Sequence, residues 1–427
     1  MKEAEGFPKY LTGAARQLAL ARTLAYEGYR RLPVKTLLRM NRLLASEKLV
    51  AHGGRYVINS FLPPFPSRAF ASLAQGVARL AAGEPSPVSA YFAVTDACRY
   101  SCPHCSKAGR NGEPMASGDW RRVIRETQEL GVSIIGFTGG EPLLMRDIEE
   151  LVASVDDRSA TLLFTSGDGL DPARARSLAD AGLFGAAVSL DSFDEAEHDR
   201  GRGTPGAFRS AVEAIGSLKE AGIYAMAQIV ATRERCDREW MRRYLAFARS
   251  LGVDEVRLLE PMPCGRILGS HGQWRISREQ HDWLRRIHAD SNADRQAVKV
   301  SSFAFVEDVS RYGCGAGFQH FYVDCLGNVQ PCDFTPVSFG NIRREPLSAA
   351  LARLQKAFAR PRARCFMLEN GERIAACSCA ETPKPAAALG DTIDFGDTGP
   401  LPAFYRALGW KDSAEDGSVR EGKGAAL

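Results

Sequence analysis

Three cysteines in one short segment have the spacing of iron ligands. Cys98, Cys102 and Cys105 follow the pattern Cys-x-x-x-Cys-x-x-Cys within residues Thr95–Ser106. Three thiolates from one loop can hold three irons of a [4Fe–4S] cube, which leaves the fourth iron without a protein ligand. An iron with an open coordination position can bind a substrate or a second cofactor. The spacing therefore predicts a cluster that takes part in chemistry and does more than store electrons.

A zinc site and secreted disulfides are the alternatives for these cysteines. Zinc normally takes four Cys or His ligands, and His104 could be the fourth, but the spacing is unusual for zinc and a second Cys pair is not nearby. The count of 11 cysteines is odd, and the first residues lack the apolar segment of a signal peptide. Disulfides are therefore not expected, and reduced cysteines predict a cytoplasmic protein.

Composition limits the classes of protein to which the chain can belong. Its 427 residues are enough for two or three domains, with ordinary apolar and charged fractions of 45% and 25%. A net charge of +4 is too small to indicate nucleic-acid binding, and no apolar run approaches the length of a membrane span. Basic residues are nevertheless concentrated between Pro8 and Lys48, a stretch that contains nine Lys or Arg and only two acidic residues, Glu27 and Glu47.

The elements that must position the cysteines form a repeating pattern from about Val88 onward. Short apolar runs alternate with amphipathic helical stretches, which is typical of parallel βα units. The predicted strands are Ser89–Val94, Ser133–Phe137, Thr161–Thr165, Gly185–Leu190, Tyr224–Val230 and Glu255–Leu259. The predicted fold is α/β, a partial (β/α)6 TIM-like barrel of parallel strands. Chemistry in such barrels gathers at the carboxyl ends of the strands.

Four regions are predicted along the chain. Residues 1–85 form a basic amphipathic helical region, with a hairpin at Gly53-Gly54 and a Pro-rich connector from Phe61 to Ser67. Residues 86–300 form the barrel, and residues 301–385 form a small β-hairpin/helix subdomain rich in cysteine. Residues 386–427, rich in Ala, Gly, Pro and Asp, are expected to be a loosely held tail.

Polar and glycine-rich motifs follow the predicted strands at the same end. The cysteine loop follows the first strand, Thr138-Gly-Gly-Glu-Pro142 the second, Thr165-Ser-Gly167 the third, and Ser189-Leu-Asp-Ser192 the fourth. Glu260-Pro-Met-Pro-Cys-Gly-Arg266 follows the sixth strand and brings Cys264 to this end, where it could meet substrate. Five such motifs on one face of a barrel indicate one active site.

At these residues the chain resembles the radical S-adenosylmethionine (SAM) superfamily, over residues 88–300. The resemblance implies that Cys98, Cys102 and Cys105 ligate a [4Fe–4S] cluster whose open iron is chelated by SAM. It also implies that an electron from the cluster cleaves SAM to methionine and a 5′-deoxyadenosyl radical, which abstracts hydrogen from a substrate. A reductant such as flavodoxin or ferredoxin would supply that electron.

The resemblance also assigns SAM-binding roles to other residues. Glu141 would accept a hydrogen bond from the SAM ammonium, and Gly139 and Gly140 would let backbone approach the ligand. Ser189 matches a position that contacts the ribose or carboxylate, with a strand-end cap as its alternative role. Arg200 matches an arginine that pairs with the SAM carboxylate, with a solvated surface charge as the alternative. His104 falls at an aromatic position whose backbone faces adenine.

A second set of cysteines follows the barrel. Cys314, a hairpin around Gly327, Cys332 and the later Cys365, Cys377 and Cys379 resemble the SPASM and Twitch extensions, which hold auxiliary [4Fe–4S] clusters. The chain has fewer cysteines than the full SPASM pattern, with different spacing. One auxiliary cluster is therefore expected, held by Cys314, Cys332 and Cys365 and completed by Cys379 or Cys377. A zinc knuckle or a decayed site is the alternative.

The substrate is left open at this point among a peptide, a lipid-like molecule and another small molecule. Residues 1–85 match poorly the recognition domains that bind leader peptides. Their basic helices instead suggest peripheral contact of residues 8–66 with an anionic inner membrane surface or a lipid-like substrate, or simple packing on the barrel. An iron–sulfur electron carrier or sensor that kept the fold is the non-enzyme alternative.

Overall fold

The computed structural model describes residues 8–107, 112–390, 392–396 and 399–412, and it begins with a small layer of strands and helices. Its strands are β1 (Lys9–Leu11), β2 (Leu49–His52) and β3 (Arg55–Val57), which pair antiparallel in the order β1-β2-β3. Its helices are α1 (Gly13–Ala21), α2 (Glu27–Arg30), α3 (Val34–Leu43) and α4 (Arg68–Ala81), with a 3₁₀ turn at Arg22–Ala25. The hairpin turns at Gly53 and Gly54, with φ of 53° and 74°. The helices and hairpin match the sequence prediction, whereas β1 is too short to be recognised from its pattern.

Buried charges attach this layer to the rest of the molecule. The Glu47 carboxylate lies 2.7 Å from Lys299 Nζ and 3.3 Å from His288 Nε2. Lys48 Nζ donates to three backbone carbonyls, those of Ser291, Asp294 and Ala297. Burial alone would raise the pKa of Glu47, but Lys299 and His288 lower it to about 2. The N-terminal layer is therefore clamped to the barrel by ion pairs that water does not reach.

The six predicted barrel strands are all present. They are β4 (Ser89–Thr95), β5 (Ile134–Gly139), β6 (Ala160–Thr165), β7 (Gly185–Ser189), β8 (Tyr224–Val230) and β9 (Glu255–Leu259). The helices between and after them are α5 (Ser117–Glu129), α6 (Ile148–Ala153), α7 (Pro172–Asp180), α8 (Glu195–Arg202), α9 (Ala207–Glu220), α10 (Arg238–Ser250), α11 (His271–Trp274) and α12 (Arg278–Ala293). Short 3₁₀ turns occur at Pro142–Leu144 and Gly265–Ile267. The α/β barrel of parallel strands is confirmed.

The sheet is wider than the six strands that the sequence predicts. It has nine strands in the order β10-β9-β8-β7-β6-β5-β4-β11-β12, adding β10 (Val300–Ser302), β11 (His320–Val323) and β12 (Val329–Gln330). Strand β11 runs parallel to β4, with His320 opposite Ser89, and β12 returns antiparallel to it. Strands β11 and β12 form the hairpin predicted around Gly327. The pairings of β10 with β9 and of β11 with β4 join distant parts of the chain, so local periodicity does not reveal that these strands extend the sheet.

The C-terminal part packs against both the barrel and the N-terminal layer. It contains α13 (Phe303–Val306), β13 (Val337–Ser338), α14 (Leu347–Ala357), α15 (Phe366–Ala376), β14 (Lys384–Pro385), a 3₁₀ turn (Ala386–Leu389) and α16 (Ala403–Leu408). The predicted hairpin around Gly327 is present, with φ of 90° at that residue. The described part of the predicted tail is more ordered than expected, because Tyr405 is buried and Trp410 Nε1 donates to the Leu80 carbonyl. Residues 413–427 lie outside the described residues.

Candidate active site and metal centres

A single cavity of about 870 Å³ joins the two sets of cysteines. Its walls come from the loops after the barrel strands, from the barrel interior, from the C-terminal part and from the N-terminal helices. Cys98, Cys102 and Cys105 line it, as do Cys314, Cys332 and Cys365. His320 pairs with Ser89 at the start of β4, and Cys332 lies beside His320. The Cys98 loop follows the other end of this seven-residue strand, so about 20 Å separates Cys332 from that loop.

The first cysteine loop is held in place by two glycines at the end of β5, Gly139 and Gly140. Gly140 N donates to the Thr95 carbonyl and Glu141 N to the Ala97 carbonyl, both at 2.7 Å. A Cβ on Gly139 would lie 2.2 Å from the Thr95 carbonyl oxygen, and one on Gly140 would lie 2.3 Å from the Ala97 oxygen. Gly139 and Gly140 line the cavity as predicted, but their lack of a side chain is required first by the loop that carries Cys98.

Glu141 makes contacts different from those predicted. Its carboxylate accepts hydrogen bonds from Thr165 Oγ1 at 2.6 Å, from Ser166 N and Oγ at 2.7 and 2.6 Å, and from Leu143 N at 3.2 Å. Burial raises its pKa, and these hydrogen bonds oppose that rise. The side chain is 1% exposed and is not part of the cavity wall. Glu141 therefore fixes the ends of β5 and β6 relative to each other.

Asp96 offers the carboxylate that Glu141 does not. It lies two residues before Cys98, lines the cavity, and has a buried Oδ1 that finds no hydrogen-bond donor within the described residues. An unpaired buried oxygen is costly unless a ligand satisfies it. The ammonium of SAM is a suitable donor. The sequence prediction passed over Asp96, although its position in Thr-Asp-Ala-Cys was visible.

A buried charge network lies beside Cys102. Asp191 Oδ2 is 2.7 Å from Arg202 Nη2 and 3.6 Å from His104 Nε2, and Arg235 Nη1 lies 3.5 Å from Oδ1. Arg202 Nη1 also donates to Cys102 Sγ at 3.6 Å. Burial would raise the pKa of Asp191, but the two arginines lower it, whereas burial lowers the pKa of His104 to about 4. A cationic group is thus held permanently next to a cluster thiol.

The arginine of α8 that lines the cavity is Arg202, two residues after the predicted one. Arg200 is exposed on α8 and does not line the cavity, whereas Arg202 is 8% exposed and does. Ser189 lines the cavity at the end of β7, as predicted. His104 also lines it, with its ring directed at Asp191. The predicted SAM contacts therefore meet at one place, except for Arg200 and the Glu141 side chain.

Cys264 lies in the wall of the cavity close to the first cysteine loop. It is 4% exposed and precedes the 3₁₀ turn Gly265–Ile267, whose Arg266 N donates to the Cys105 carbonyl at 3.0 Å. Gly265 packs so closely that a Cβ would lie 2.0 Å from that same carbonyl oxygen. The segment after β9 therefore supports the cysteine loop and places a thiol in the cavity.

The second set of cysteines has the backbone environment of an iron–sulfur site. Backbone amides hydrogen-bond the thiols: those of Ala316 and Phe366 reach Cys314, that of Phe334 reaches Cys332 and that of Leu368 reaches Cys365. The Cys365 thiol also hydrogen-bonds Cys314, which lowers the pKa of Cys314 to about 7. Amides directed at sulfur stabilise cluster thiolates, so these residues fit the predicted cluster.

Acidic side chains surround this second set. Glu307 lies with Cys314 and Cys365 in a group whose ligand atoms are all within 4.8 Å of one another, and His320, Cys332 and Asp333 form a second such group. Burial and the nearby Cys314 raise the pKa of Glu307 well above its usual value. Several anionic donors concentrated in a cavity fit a site for metal cations.

Cys377 and Cys379 do not reach this cavity. They follow α15, which begins at Phe366 beside Cys365 and carries the chain away, and neither is part of the cavity wall. Lys384 Nζ donates to the backbone carbonyls of both residues. Three of the four predicted auxiliary ligands therefore line the same cavity, with Cys314 and Cys365 in contact and Cys332 beside His320 and Asp333, whereas Cys379 lies apart.

Comparison with known proteins identifies the family. The model of the radical SAM superfamily matches residues 92–243, and that of the SPASM iron–sulfur cluster-binding domain matches residues 314–380. The PqqA peptide cyclase of Granulibacter bethesdensis is 30% identical over 274 residues, which are 61% of this chain and 73% of that protein. The AdoMet-dependent heme synthase of Nitratidesulfovibrio vulgaris is 26% identical over 299 residues, 64% of this chain and 81% of that protein.

Solved structures agree on the fold. Streptococcus suis SuiB bound to S-adenosylmethionine matches 65% of this chain and 69% of its own, with a TM-score of 0.53 and 18% identity. The protein anSMEcpe with bound AdoMet and the Kp18Cys peptide matches 76% of this chain and 95% of its own, with a TM-score of 0.53 and 15% identity. At such identities the similarity concerns the fold alone.

The chain belongs to the radical SAM superfamily and carries a SPASM domain. It is a radical SAM enzyme, with a SAM-binding [4Fe–4S] cluster, S-adenosylmethionine and additional iron–sulfur binding in its SPASM domain. It needs a reductant and a substrate. Within the described residues, none of the helices has the length and hydropathy to cross a bilayer.

Proposed function

We propose that this enzyme abstracts hydrogen from an amphiphilic, lipid-like substrate that enters from an anionic membrane surface. The observation that carries the proposal is the continuity of the cavity. The same cavity that Cys98 lines is also lined by Leu24, Val34 and Leu38, which are 49%, 71% and 56% exposed on the N-terminal layer. A long apolar molecule could therefore extend from the surface to the iron–sulfur chemistry.

At the cysteine end, the proposed roles follow from the contacts. Cys98, Cys102 and Cys105 would hold the SAM-binding cluster, and Asp96, Ser189 and the backbone of Gly139 and Gly140 would hold SAM. When bound, the reduced cluster and SAM supply the 5′-deoxyadenosyl radical that removes a hydrogen atom from the substrate. Arg202 holds a positive charge beside Cys102, and Asp191 fixes that arginine. The proposed electron donor is a flavodoxin or ferredoxin.

The middle of the cavity has a cation suited to an anionic group on the substrate. Arg257 is 1% exposed and lines the cavity among the rings of Phe61, Phe164 and Phe303. Its Nη1 donates to Ser60 Oγ at 2.6 Å, and within the described residues it has no carboxylate at ion-pair distance. A buried guanidinium without a carboxylate favours a substrate that carries one or a phosphate.

The far end of the cavity is apolar and open. Leu20, Leu37, Met40, Phe70, Leu73 and Val77 line it between α1, α3 and α4. The described large hydrophobic side chains that stand exposed are Leu18, Leu24, Val34 and Leu38, all in this layer. The exposed basic residues Arg22, Lys35 and Arg39 stand among them. Exposed leucines ringed by cations suit docking on anionic lipids.

A peptide substrate is the second candidate, and a specific feature favours it. The antiparallel sheet β1-β2-β3 makes the N-terminal layer more like a strand-and-helix recognition module than the sequence suggested. Strand β1 is an edge strand, to which an extended peptide could add. One relative is named a PqqA peptide cyclase, and one matched structure is SuiB bound to its precursor peptide SuiA.

Displacement of a fluorescent fatty acid distinguishes the two candidates. The reconstituted enzyme should bind cis-parinaric acid, and Leu37→Trp, which fills the apolar end, should weaken that binding by about tenfold. Leu43→Trp is the matched control, because Leu43 is half-buried on the same helix but does not line the cavity. Equal binding of cis-parinaric acid by Leu37→Trp and Leu43→Trp would reject the lipid-like substrate. Failure of a natural lipid extract to displace cis-parinaric acid from the wild type would reject it as well.

A further inference from the structure

We propose that the auxiliary cluster is held by three cysteines and one carboxylate, with Glu307 as the fourth ligand in place of a cysteine. The inference concerns the SPASM cluster and does not depend on which substrate is used. It departs from the sequence prediction, in which Cys379 or Cys377 completes the set.

The fourth thiol is missing from the place where it is needed. Cys314, Cys332 and Cys365 line the cavity and receive backbone hydrogen bonds, whereas Cys377 and Cys379 lie beyond the end of α15. Cys325 is buried at the hairpin and is not part of the cavity wall. Cys264 also lines the cavity, but it lies beside the first cysteine loop, where Arg266 N donates to the Cys105 carbonyl. The remaining cysteine, Cys236, is buried outside the cavity wall.

Glu307 is in the right position to replace it. It lies immediately after α13, seven residues before Cys314, and its N–H closes the helix by donating to the Phe303 carbonyl at 2.8 Å. This short loop turns the carboxylate into the cavity, where its oxygen lies within 4.8 Å of the Cys314 and Cys365 sulfurs. The carboxylate therefore faces the same part of the cavity as two of the predicted cluster thiols, where it can reach an iron that they do not bind.

The Glu307 carboxylate also lacks any other partner. Within the described residues, neither an ion pair nor a hydrogen bond reaches its side chain, which is half-buried and faces two thiols. A carboxylate in such surroundings is costly unless a cation is bound to it. Its position therefore makes sense when an iron is present.

The competing oxygen ligand, Asp333, is already engaged. Its Oδ1 lies 3.6 Å from His320 Nε2, and the hydrogen bond that it accepts from the Cys332 thiol at 3.4 Å is lost when that sulfur binds iron as a thiolate. The Lys107 ammonium also lies nearby, donating to the Asp333 backbone carbonyl at 3.3 Å. His320 and Lys107 therefore already lie beside Asp333 to balance its charge. In the part of the chain that the structure describes, Glu307 has no such partner and remains available to bind iron.

The test uses the full chain with Cys98, Cys102 and Cys105 all changed to alanine, so that only the auxiliary cluster can assemble. After anaerobic reconstitution this parent should hold four irons per chain and resist mild oxidation. Glu307→Ala should lose the iron that the carboxylate holds, so that oxidation yields about three irons and the electron paramagnetic resonance signal of a [3Fe–4S] cluster. Cys379→Ser, the matched control, should keep four irons.

A second variant keeps the test decisive if Glu307→Ala folds poorly. Glu307→Cys should retain four irons but change the Mössbauer parameters of one of them, because sulfur replaces oxygen at that iron. Four stable irons in Glu307→Ala, a loss of iron in Cys379→Ser, or a Glu307→Cys spectrum identical to that of the parent would each overturn the assignment.

Discussion

At the cysteine end of the cavity, loops that follow parallel strands are fixed by buried charges and short hydrogen bonds, whereas at the far end three helices present apolar side chains to an open mouth. Glu141 alone accepts four hydrogen bonds at the first end. Leu24, Val34 and Leu38 at the second end are all exposed.

The difference follows from what each end has to do. A radical must form in contact with the hydrogen that it removes, and the reacting groups must be positioned to within about 0.5 Å, which requires side chains held by a rigid surrounding shell. An apolar chain needs only a passage of suitable width, and cores of leucine and methionine tolerate variation in shape. The two ends should therefore respond differently to mutation.

The largest expected effect is at the cysteine end. Cys98→Ala removes a ligand of the SAM-binding cluster, so formation of 5′-deoxyadenosine by the dithionite-reduced enzyme should fall below detection. Cys236→Ala is the control, because Cys236 is buried outside this cavity. Leu37→Trp at the far end should still cleave SAM while losing substrate turnover. If Cys98→Ala cleaves SAM at the normal rate, the cysteine end has been assigned to the wrong residues.

The next effect concerns the buried ion pairs of Glu47 with Lys299 and His288, the clamp that attaches the N-terminal layer to the barrel. Glu47→Gln leaves Lys299 buried without a counter-charge, which should cost about 3–5 kcal/mol of unfolding free energy at pH 7, measured by urea unfolding. Because the pKa of Glu47 is lowered from 4.5 to about 2 in the folded protein, its contribution is fully present above about pH 5 and is lost as the pH falls toward 2.

The difference between the wild type and Glu47→Gln should therefore shrink between pH 5 and pH 3. Glu27→Gln is the control, since Glu27 forms an exposed pair with Arg31 and should change stability by less than about 1 kcal/mol. A constant difference across this pH range would mean that the Glu47 carboxylate does not stabilise the clamp.

A smaller effect distinguishes the two carboxylates near SAM. Asp96→Asn removes the proposed partner of the SAM ammonium, so SAM should bind roughly ten- to a hundredfold more weakly by equilibrium dialysis. Asp168→Asn is the control, because Asp168 pairs with Arg99 outside the cavity wall. Unchanged affinity for SAM in Asp96→Asn would mean that another group accepts the hydrogen bond from the SAM ammonium. The Glu141 side chain is a less favourable candidate, because it already accepts four hydrogen bonds.

The sequence predicts best what local patterns determine. The six strands from β4 to β9, the cysteine loop and the turns at Gly53-Gly54 and Gly327 depend on neighbours in the chain, and all of them are present. The hairpin of β11 and β12 around Gly327 is also predicted, but the pairing of β11 with β4, more than two hundred residues earlier, is not. That pairing is what brings Cys332 into the same cavity as Cys98.

Side-chain direction is the other limit of sequence reasoning. Residues 200 and 202 on α8 differ by about 200° around the helix axis, so only one of the two arginines can face the cavity. Glu141 and Asp96 are both acidic and both near the cysteine loop, and only the hydrogen bonds of the folded protein show which one is occupied. Glu307 belongs to no motif, because the spacing of seven residues to Cys314 has no recognised pattern and Cys365 comes from a distant segment.

The smallest expected effect tests whether the open mouth meets a membrane. The double variant Lys35→Ala and Arg39→Ala removes two exposed cations beside Val34 and Leu38, and each should contribute about 1 kcal/mol to binding of anionic vesicles. Co-sedimentation with phosphatidylglycerol vesicles should weaken several-fold for each cation, and added salt should reduce the difference. Arg242→Ala, on α10, is the control for loss of an exposed arginine.

Equal sedimentation of the double variant and the wild type would count against docking on a membrane, but not against binding of a lipid-like chain in the cavity. The apolar passage could then still hold a lipid-like chain, because its walls do not depend on Lys35 or Arg39. The substrate would have to arrive from solution or on a carrier, and the exposed Val34 and Leu38 would serve as the rim of the passage only.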